Sequence, residues 1–288
     1  MLLQFITNGI ITGLLYSLLA IGFALVYNTT HIFHIAAAGI YVFAAYMFWF
    51  FGVKLGLNLL AAVLALVLTM GISWLSEKVI YRPLRNKQTS LNVAMIASIG
   101  LMTVIVNLIA MFFGNETKVV ENAILPTVSL GKLIVTTPQL FQLFISIAAI
   151  AIFLTFLDKT KSGLKLRALS ADETLFETLG YDKQNTFSFV FLASGLFIGL
   201  ASCLTVYDVG MDPNMGMTVL INALVAMIIG GAGRFGACLV GGLLLGVLQS
   251  LTVYFFASNW QNAITFALLL IFLFVRPQGI AGYKQRVI

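Results

Sequence analysis

A glycine-rich stretch, GGAGRFGA at residues 230–237, carries the spacing Gly231-x-Gly233-x-x-Gly236 that is typical of dinucleotide-binding loops. That chemistry needs a strand before the loop, a helix after it, and an acidic residue about 20 positions further on to bind the ribose. Here long apolar stretches flank the glycines, and no Asp or Glu follows Asp212. No Gly-Lys-Ser/Thr completes a phosphate-binding loop. The sequence therefore predicts a tight cytoplasmic turn, with Arg234 at the lipid headgroups, and no nucleotide site.

Residue types that perform metal or covalent chemistry are scarce. His31 and His34 are three positions apart with no further ligand nearby, which makes a poor metal site. Cys203 and Cys238 both lie in apolar runs, where we expect small packing residues rather than a disulfide. No nucleophile–base pair is recognisable. We therefore expect no catalytic residue, no metal and no cofactor, which disfavours a membrane-embedded enzyme.

Membrane helices are the elements that would position these residues. The chain is 60% hydrophobic and only 9% charged, whereas a soluble domain carries about a quarter charged residues. Several charge-free runs reach the roughly 20 residues that cross a bilayer. The first run lacks the features of a signal peptide and is expected to remain as a membrane span. We predict an all-α integral membrane protein, a polytopic bundle of about 8–10 transmembrane helices forming a single domain over 1–288. Nine segments are expected, near 2–27, 32–51, 56–77, 91–113, 137–157, 185–207, 217–232, 236–256 and 261–275.

The basic residues predict the orientation in the membrane. With alternating sides, 13 of the 16 Lys and Arg residues fall on one face, and an excess of this kind marks the cytoplasm. The N-terminus is then outside and the C-terminus cytoplasmic, and the basic residues have anionic membrane lipids as partners rather than nucleic acid. The opposite face holds only Lys54, Lys118 and Lys132.

The longest cytoplasmic connection, residues 158–184, predicts a short helix of its own. Ser170-x-x-Glu173 has the form of a capping box, and Gly180 is placed to end the helix. Over 171–179, Leu175 and Leu179 recur at i, i+4 with Phe176 beside them, which gives one apolar face. A helix this short needs a surface to rest on, either the membrane, the bundle or a cytoplasmic partner.

Uncharged polar side chains enter several predicted spans. Burying an amide without a partner costs several kcal/mol, so these side chains are expected to face the bundle interior, where they line a polar path or join helices. Three Gly-x-x-x-Gly pairs, at 9/13, 195/199 and 242/246, are expected to bring helices into close contact. The candidates for a substrate path are Asn8, Tyr16, Asn28, His34, Asn92 and Asn222.

Five stretches, in this order, resemble the LivH-type permeases of branched-chain amino acid ABC importers over essentially the whole chain. They are GLLYSLLAIGFALVY, YRPLR with ASIGLMTVIVNLIAMFFG, SGLKLRALSADETLFETLGYD, GGAGRFGACLVGGLLLGVLQSL and FLFVRPQGIAG. The chain departs from the family where HIAAA, residues 34–38, replaces Asn-Phe-Ala-His-Gly, with His34 for the Asn and Ala37 for the His. The solute therefore stays open between a branched-chain or related amino acid, a urea- or amide-like compound and another small polar molecule.

The resemblance implies a permease subunit of a bacterial-type cytoplasmic (inner) membrane that neither binds nor hydrolyses ATP. Its implied partners are two ABC ATPase subunits, a second permease subunit (identical or paralogous) and a soluble extracytoplasmic solute-binding protein. ATP-driven closure of the ATPases would move the coupling loop 158–184 and switch the path between its outward- and inward-facing states. The residues implied in this coupling are Arg167, Asp172, Leu175, Phe176, Leu179 and Gly180.

An ATP-independent secondary carrier or channel is the alternative class. Such carriers usually place acidic residues or broken-helix ion sites within the membrane, and we expect no Asp or Glu in the middle of a span. Transport by this chain alone in liposomes would favour the carrier, and recovery with an ATPase would favour the importer.

Overall fold

The computed structural model describes residues 1–57, 59–120, 127–130, 133–231, 233–276 and 278–280. Lys132, Lys284 and Arg286, which contributed to the predicted orientation, lie outside these residues, as does Ala232 of the glycine-rich stretch. Two strands and twelve α-helices make up the described part of the chain. They are α1 Leu2–Thr30, α2 Ala36–Trp49, α3 Leu59–Ser76, α4 Arg82–Asn86, α5 Leu91–Phe113, β1 Thr127–Leu130, β2 Leu133–Thr136, α6 Thr137–Lys159, α7 Lys161–Ala171, α8 Glu173–Thr178, α9 Lys183–Val209, α10 Met215–Gly230, α11 Ala237–Phe255 and α12 Gln261–Val275.

Eight helical runs in the described residues are long and apolar enough to cross a membrane. This count agrees with the predicted polytopic, all-α architecture of 8–10 spans. The seventh predicted segment, 217–232, is the shorter apolar helix α10. The runs are Leu2–Thr30, Ala36–Lys54, Leu60–Asn86, Leu91–Phe113, Thr137–Lys159, Lys183–Val209, Ala237–Phe255 and Ser258–Val275.

The third predicted span, 56–77, ends too early. In the structure α3 continues through a π-helical turn, Glu77–Tyr81, directly into α4. Pro83 lies in the first turn of α4 and has no N–H to donate back to the π-helical turn before it. Lys78, Arg82 and Arg85, which the sequence assigned to a connection, are therefore carried on the end of one continuous helical run.

A short hairpin was not predicted from the sequence. β1 and β2 pair antiparallel, with Thr127 opposite Thr136 and Leu130 opposite Leu133. The segment holds β-branched residues in the run Leu133–Thr136, but four residues are too short a pattern to distinguish from the start of the apolar helix that follows.

The described residues form two compact units, each built from separate parts of the chain. The first unit comprises Met1–Ala24, Ala123–Ala151 and Ile221–Ile288. Within it α1 and α11 pack through glycines: a Cβ at Gly13 would lie 2.9 Å from the Gly242 carbonyl oxygen, and one at Gly9 would lie 2.8 Å from the Cα of Val247. Two of the predicted Gly-x-x-x-Gly pairs therefore face each other inside this unit.

The second unit comprises Leu25–Asn122 and Ile152–Leu220. Its central contact joins α3 and α9, where the third glycine pair faces α3: a Cβ at Gly195 would lie 3.0 Å from the Thr69 carbonyl oxygen. The Ser73 hydroxyl donates a 2.6 Å hydrogen bond to the Phe191 carbonyl across the same contact. All three glycine pairs thus serve packing within the chain.

Candidate functional site

The predicted coupling loop 158–184 contains two helices rather than one. α7 begins after Thr160, whose side chain accepts a 3.0 Å hydrogen bond from the Gly163 N–H. A Cβ at Gly163 would lie 2.5 Å from the Cα of Leu157, so glycine permits the close corner between α6 and α7. α7 runs to Ala171 and α8 follows after a single residue, Asp172.

The N-terminal cap of α8 is Asp172, and the predicted capping box of Ser170 and Glu173 is wrong. The Asp172 carboxylate accepts a 2.9 Å hydrogen bond from the Leu175 N–H, and this bond holds the pKa of that carboxyl below its usual range. The Ser170 hydroxyl instead donates to the Arg167 carbonyl inside α7. Serine and aspartate are both good N-terminal caps. The cap of α8 is Asp172 because the chain leaves α7 at this residue, whereas Ser170 lies within α7.

The C-terminal end of α8 is as predicted. Gly180 has φ +80°, a backbone conformation that favours glycine, and its N–H donates to the Glu177 carbonyl. Lys183 then forms ion pairs of 3.2 Å with Glu173 and 2.9 Å with Glu177. These partly exposed pairs join α8 to the first residue of α9.

The three apolar residues that were predicted to form one face, two on α8 and Leu179 at its C-terminal cap, do not share one exposed face. Phe176 is 1% exposed and packs with Leu169 of α7 and Phe187 of α9. Tyr181 stacks on the Phe176 ring at 5.1 Å between centroids. Leu175 and Leu179 are 56% and 63% exposed. Phe176 therefore anchors α8 to its own chain, while the two leucines remain available to a partner.

Arg167, the remaining residue implied in coupling, lies on α7. Its guanidinium donates a 3.2 Å hydrogen bond to the Asp158 carboxylate, and both side chains are well exposed. The structure thus places the six coupling residues on α7, on α8, at the single residue between these helices and in the turn after α8. Their contact with an ATPase stays a prediction.

A buried polar cluster in the first unit contains two of the predicted path residues and two that the sequence analysis missed. The Tyr16 hydroxyl donates to Oε1 of Gln249 at 2.8 Å. Nε2 of Gln249 donates to Oδ1 of Asn222 at 3.2 Å and to the Thr265 hydroxyl at 2.6 Å. Gln249 and Thr265 are 4% and 1% exposed, and a lone glutamine or threonine in an apolar run gives little sequence signal. Asn8 is half-buried and accepts from Gln4 on the same helix.

The second unit holds a different polar cluster around His34. The His34 side chain is fully buried, and its Nδ1 lies 2.8 Å from the Tyr81 hydroxyl. That hydroxyl donates to Ser98 at 2.8 Å, and Ser98 also accepts the Ala36 N–H at 2.8 Å. His34 is therefore a bonded core residue in this structure, and Tyr81 and Ser98 are partners that the sequence did not reveal.

Not every predicted path residue faces the interior. Asn28 is 5% exposed near the end of α1. Asn92, in the first turn of α5, is exposed, which contradicts its predicted interior position. Asn92 lies at a helix end, where a polar side chain can reach the membrane–water interface. Water can solvate it there, so it does not need a partner inside the bundle.

The glycine-rich stretch forms a turn between two helices, as predicted. α10 ends at Gly230 and α11 begins at Ala237. Gly231 and Gly233 have φ of +118° and +100°, and the Gly231 N–H closes α10 on the Met227 carbonyl at 2.9 Å. A helix, not a strand, precedes the glycines, so the arrangement required for a dinucleotide loop is missing there. Over the described residues, no group of three or more His, Cys, Asp or Glu residues could hold a metal ion.

Comparison with known proteins agrees with this architecture. The family described as "Branched-chain amino acid transport system / permease component" matches residues 5–273. The permease protein LivH of a high-affinity branched-chain amino acid transport system in Escherichia coli K12 is 26% identical, over 98% of this chain and 96% of its own. The corresponding protein BraD of Pseudomonas aeruginosa is 28% identical, with the same coverage. A probable branched-chain amino acid transport permease LivH of Methanocaldococcus jannaschii is 26% identical over 96% of this chain and 91% of its own.

A solved structure shares the fold. PsaBC from Streptococcus pneumoniae, determined in complex with a Fab, superposes with a TM-score of 0.52 over 96% of this chain and 93% of that chain, at 13% identity. The family match covers nearly the whole chain, and the eight helical runs of the described residues that are long and apolar enough to cross a membrane agree with it. This chain is therefore a multi-pass membrane permease subunit of an ABC importer and belongs to the branched-chain amino acid transport permease family.

Proposed function

We propose that this chain moves a branched-chain or related amino acid by alternating access, driven by two ATPase subunits that dock on α8. A second permease subunit, identical or paralogous, completes the path, and a soluble binding protein delivers the solute from outside. The observation that carries the proposal is the construction of α8. Phe176 fixes it to its own chain, while Leu175 and Leu179 point outward, 56% and 63% exposed.

Two exposed leucines on a short anchored helix fit the needs of a docking contact. Apolar side chains at i and i+4 lie on the same side of a helix and can enter a groove together. Asp172 caps the start of α8, Gly180 ends it, and the Lys183 ion pairs join it to α9. A partner that contacts the leucines therefore binds a helix that is already formed, and no conformational entropy is lost in ordering a loop.

The orientation is part of the proposal. The basic residues on α4, α7 and the end of α6 support a cytoplasmic position for the coupling loop, with the N-terminus outside. This position puts α8 on the side where ATP and its hydrolysing partners are found. The chain itself is proposed to perform no catalysis.

The solute class is supported by the relatives, which are named as branched-chain amino acid permeases. His34 and Ala37 stand where the resemblance places Asn and His, so a urea- or amide-like solute is the alternative outcome. Thermal-shift measurement on the cognate binding protein decides: stabilisation by leucine, isoleucine or valine supports the proposal. Stabilisation by urea or an amide, and by none of these amino acids, would overturn the amino acid assignment.

The docking proposal is tested by purifying the chain in mild detergent with its companion subunits. The double variant Leu175→Asp with Leu179→Asp should lose the ATPase, because two carboxylates replace the apolar contact, while the thermal unfolding midpoint of the permease stays unchanged. The matched control is Leu55→Asp, which introduces a charge at a position 54% exposed after α2. That control should retain the ATPase.

Full recovery of the ATPase with the double variant would refute docking through α8. Purification of the wild-type chain without any ATPase, together with ion-driven transport by this chain alone in liposomes, would favour the secondary carrier instead.

A further inference from the structure

A fully buried carboxylate lies in the π-helical turn between α3 and α4. Glu77 has a side chain that is 0% exposed. Its two oxygens have different partners: Oε1 accepts from Arg85 at 2.5 Å, and Oε2 accepts from the Ser188 hydroxyl at 3.0 Å. The carboxylate thus joins α4 to the first turns of α9. A buried charge requires such pairing, because removing one partner leaves the other charge desolvated and unpaired.

Arg85 continues the contacts toward the coupling loop. Its guanidinium carbon lies 4.3 Å above the centre of the Phe187 ring. Phe187, 0% exposed, packs in the cluster that contains Phe176 of α8 and Leu169 of α7. A continuous set of contacts therefore runs from α8 through Phe187 and Arg85 to Glu77.

The other end of the same π-helical turn reaches the buried cluster around His34. Tyr81 is the last residue of the turn, and its hydroxyl bonds Ser98 and His34. Its ring also lies 5.1 Å from that of Phe191 on α9. A displacement of Arg85 would therefore act on a turn whose far end holds the polar cluster within the second unit. π-Helical turns occur often at functional positions in helices.

We propose that Glu77 and Arg85 are positioning residues that make α8 and the helical run Leu60–Asn86 move as one body when the ATPases act on α8. The inference rests on the proposed function. Both residues lie on the run, and the ion pair fixes the position of the Arg85 guanidinium there. The guanidinium stacks on Phe187, which packs against Phe176 of α8 and so connects α8 to the run. If either charge is removed, the Arg85 guanidinium is no longer held in one position on Phe187. The helix α8 can then shift without moving the helical run Leu60–Asn86.

The experiment measures a distance within this chain in the assembled complex with its ATPases. Spin labels are placed at Thr178→Cys on α8 and Lys78→Cys on the helical run, both exposed positions. The chain's two native cysteines are buried and should not react. Double electron–electron resonance is recorded without nucleotide and after trapping with ATP and vanadate. In the otherwise native chain we expect one narrow distribution that is the same in both states.

Two variants and one matched control decide the result. Arg85→Met and Glu77→Gln should each broaden the distribution and make it differ between the two nucleotide states. Glu77→Gln keeps the shape of the side chain, so a folded variant can still be measured if Arg85→Met unfolds. Lys87→Met removes a positive charge at an exposed position two residues further on and should leave the distribution narrow. The double variant of Glu77 and Arg85 should be no worse than the single ones, because both act through one pair.

Unchanged narrow distributions in Arg85→Met and Glu77→Gln would overturn the inference, and so would equal broadening in Lys87→Met. A lowered thermal midpoint with unchanged distances would show a purely structural role and would also overturn it. If no ATPase accompanies the native chain, the proposed function fails first, and this inference fails with it.

Discussion

Replacing Phe176 by alanine should release α8 from the chain without unfolding the membrane helices. Phe176 is 1% exposed, and its neighbours Leu169 and Phe187 are 2% and 0% exposed. α8 has only six residues, and a helix of that length has little stability of its own. The buried ring is therefore the main contact that keeps α8 in place.

The magnitude follows from the burial of that ring. Truncating a buried phenylalanine to alanine costs about 3–5 kcal/mol. If this cost falls on the local opening of α8, the opening equilibrium rises by roughly 10²-fold to a few thousand-fold, at about 1.4 kcal/mol for each factor of ten. The stacked ring of Tyr181 loses its partner at the same time.

Hydrogen exchange followed by mass spectrometry measures this opening directly. The reporting amides are those of Leu179 and Gly180, which donate to the Leu175 and Glu177 carbonyls. The control is Leu175→Ala: this side chain is 56% exposed, and exposed substitutions usually change stability by about 0.5 kcal/mol or less. Unaltered exchange in Phe176→Ala, or the same acceleration in the control, would refute the role of Phe176 as the anchor.

Two further predictions concern the first unit. Gly242→Ala should lower the thermal unfolding midpoint, because its Cβ would lie 2.6 Å from the Ser17 backbone nitrogen, and overpacking costs about 1–3 kcal/mol. Gly71→Ala, inside α3 and with no atom within 4 Å of its Cβ, should not lower the midpoint, since alanine favours a helix over glycine. Gln249→Leu should destabilise the unit by about 1–3 kcal/mol for each buried partner left without a hydrogen bond. Thermal denaturation in detergent checks both, and an undisturbed midpoint in Gln249→Leu would argue against a structural role of the Tyr16 cluster.

Most of the membrane architecture could be predicted from the sequence because a bilayer imposes a length on charge-free runs. The bounds of α5, predicted as 91–113, are those of the structure. The glycine turn was also predictable, since its flanking segments exclude a strand. These features depend on local composition, which a single sequence displays.

The features that were missed depend on contacts between distant residues or on one choice between similar residues. Glu77 and Arg85 are eight positions apart, which is about 12 Å along a straight helix, so their spacing does not predict an ion pair. The inward position of Phe176 depends on Phe187, on another helix. The cap of α8 required a choice between Ser170 and Asp172, and only the length of α7 decides it.

Side chains cap the edge of the hairpin along β2, on the side away from β1. The N–H and carbonyl of Ile134 on β2 both bond the side-chain amide of Gln4, at 3.0 and 2.7 Å. The Thr136 N–H bonds the amide oxygen of Gln139 at 3.2 Å. Side chains therefore occupy the positions that an incoming strand would use, as protected edge strands require. A protein that approaches this side of the first unit cannot extend the sheet there, so its recognition must rely on side chains and shape.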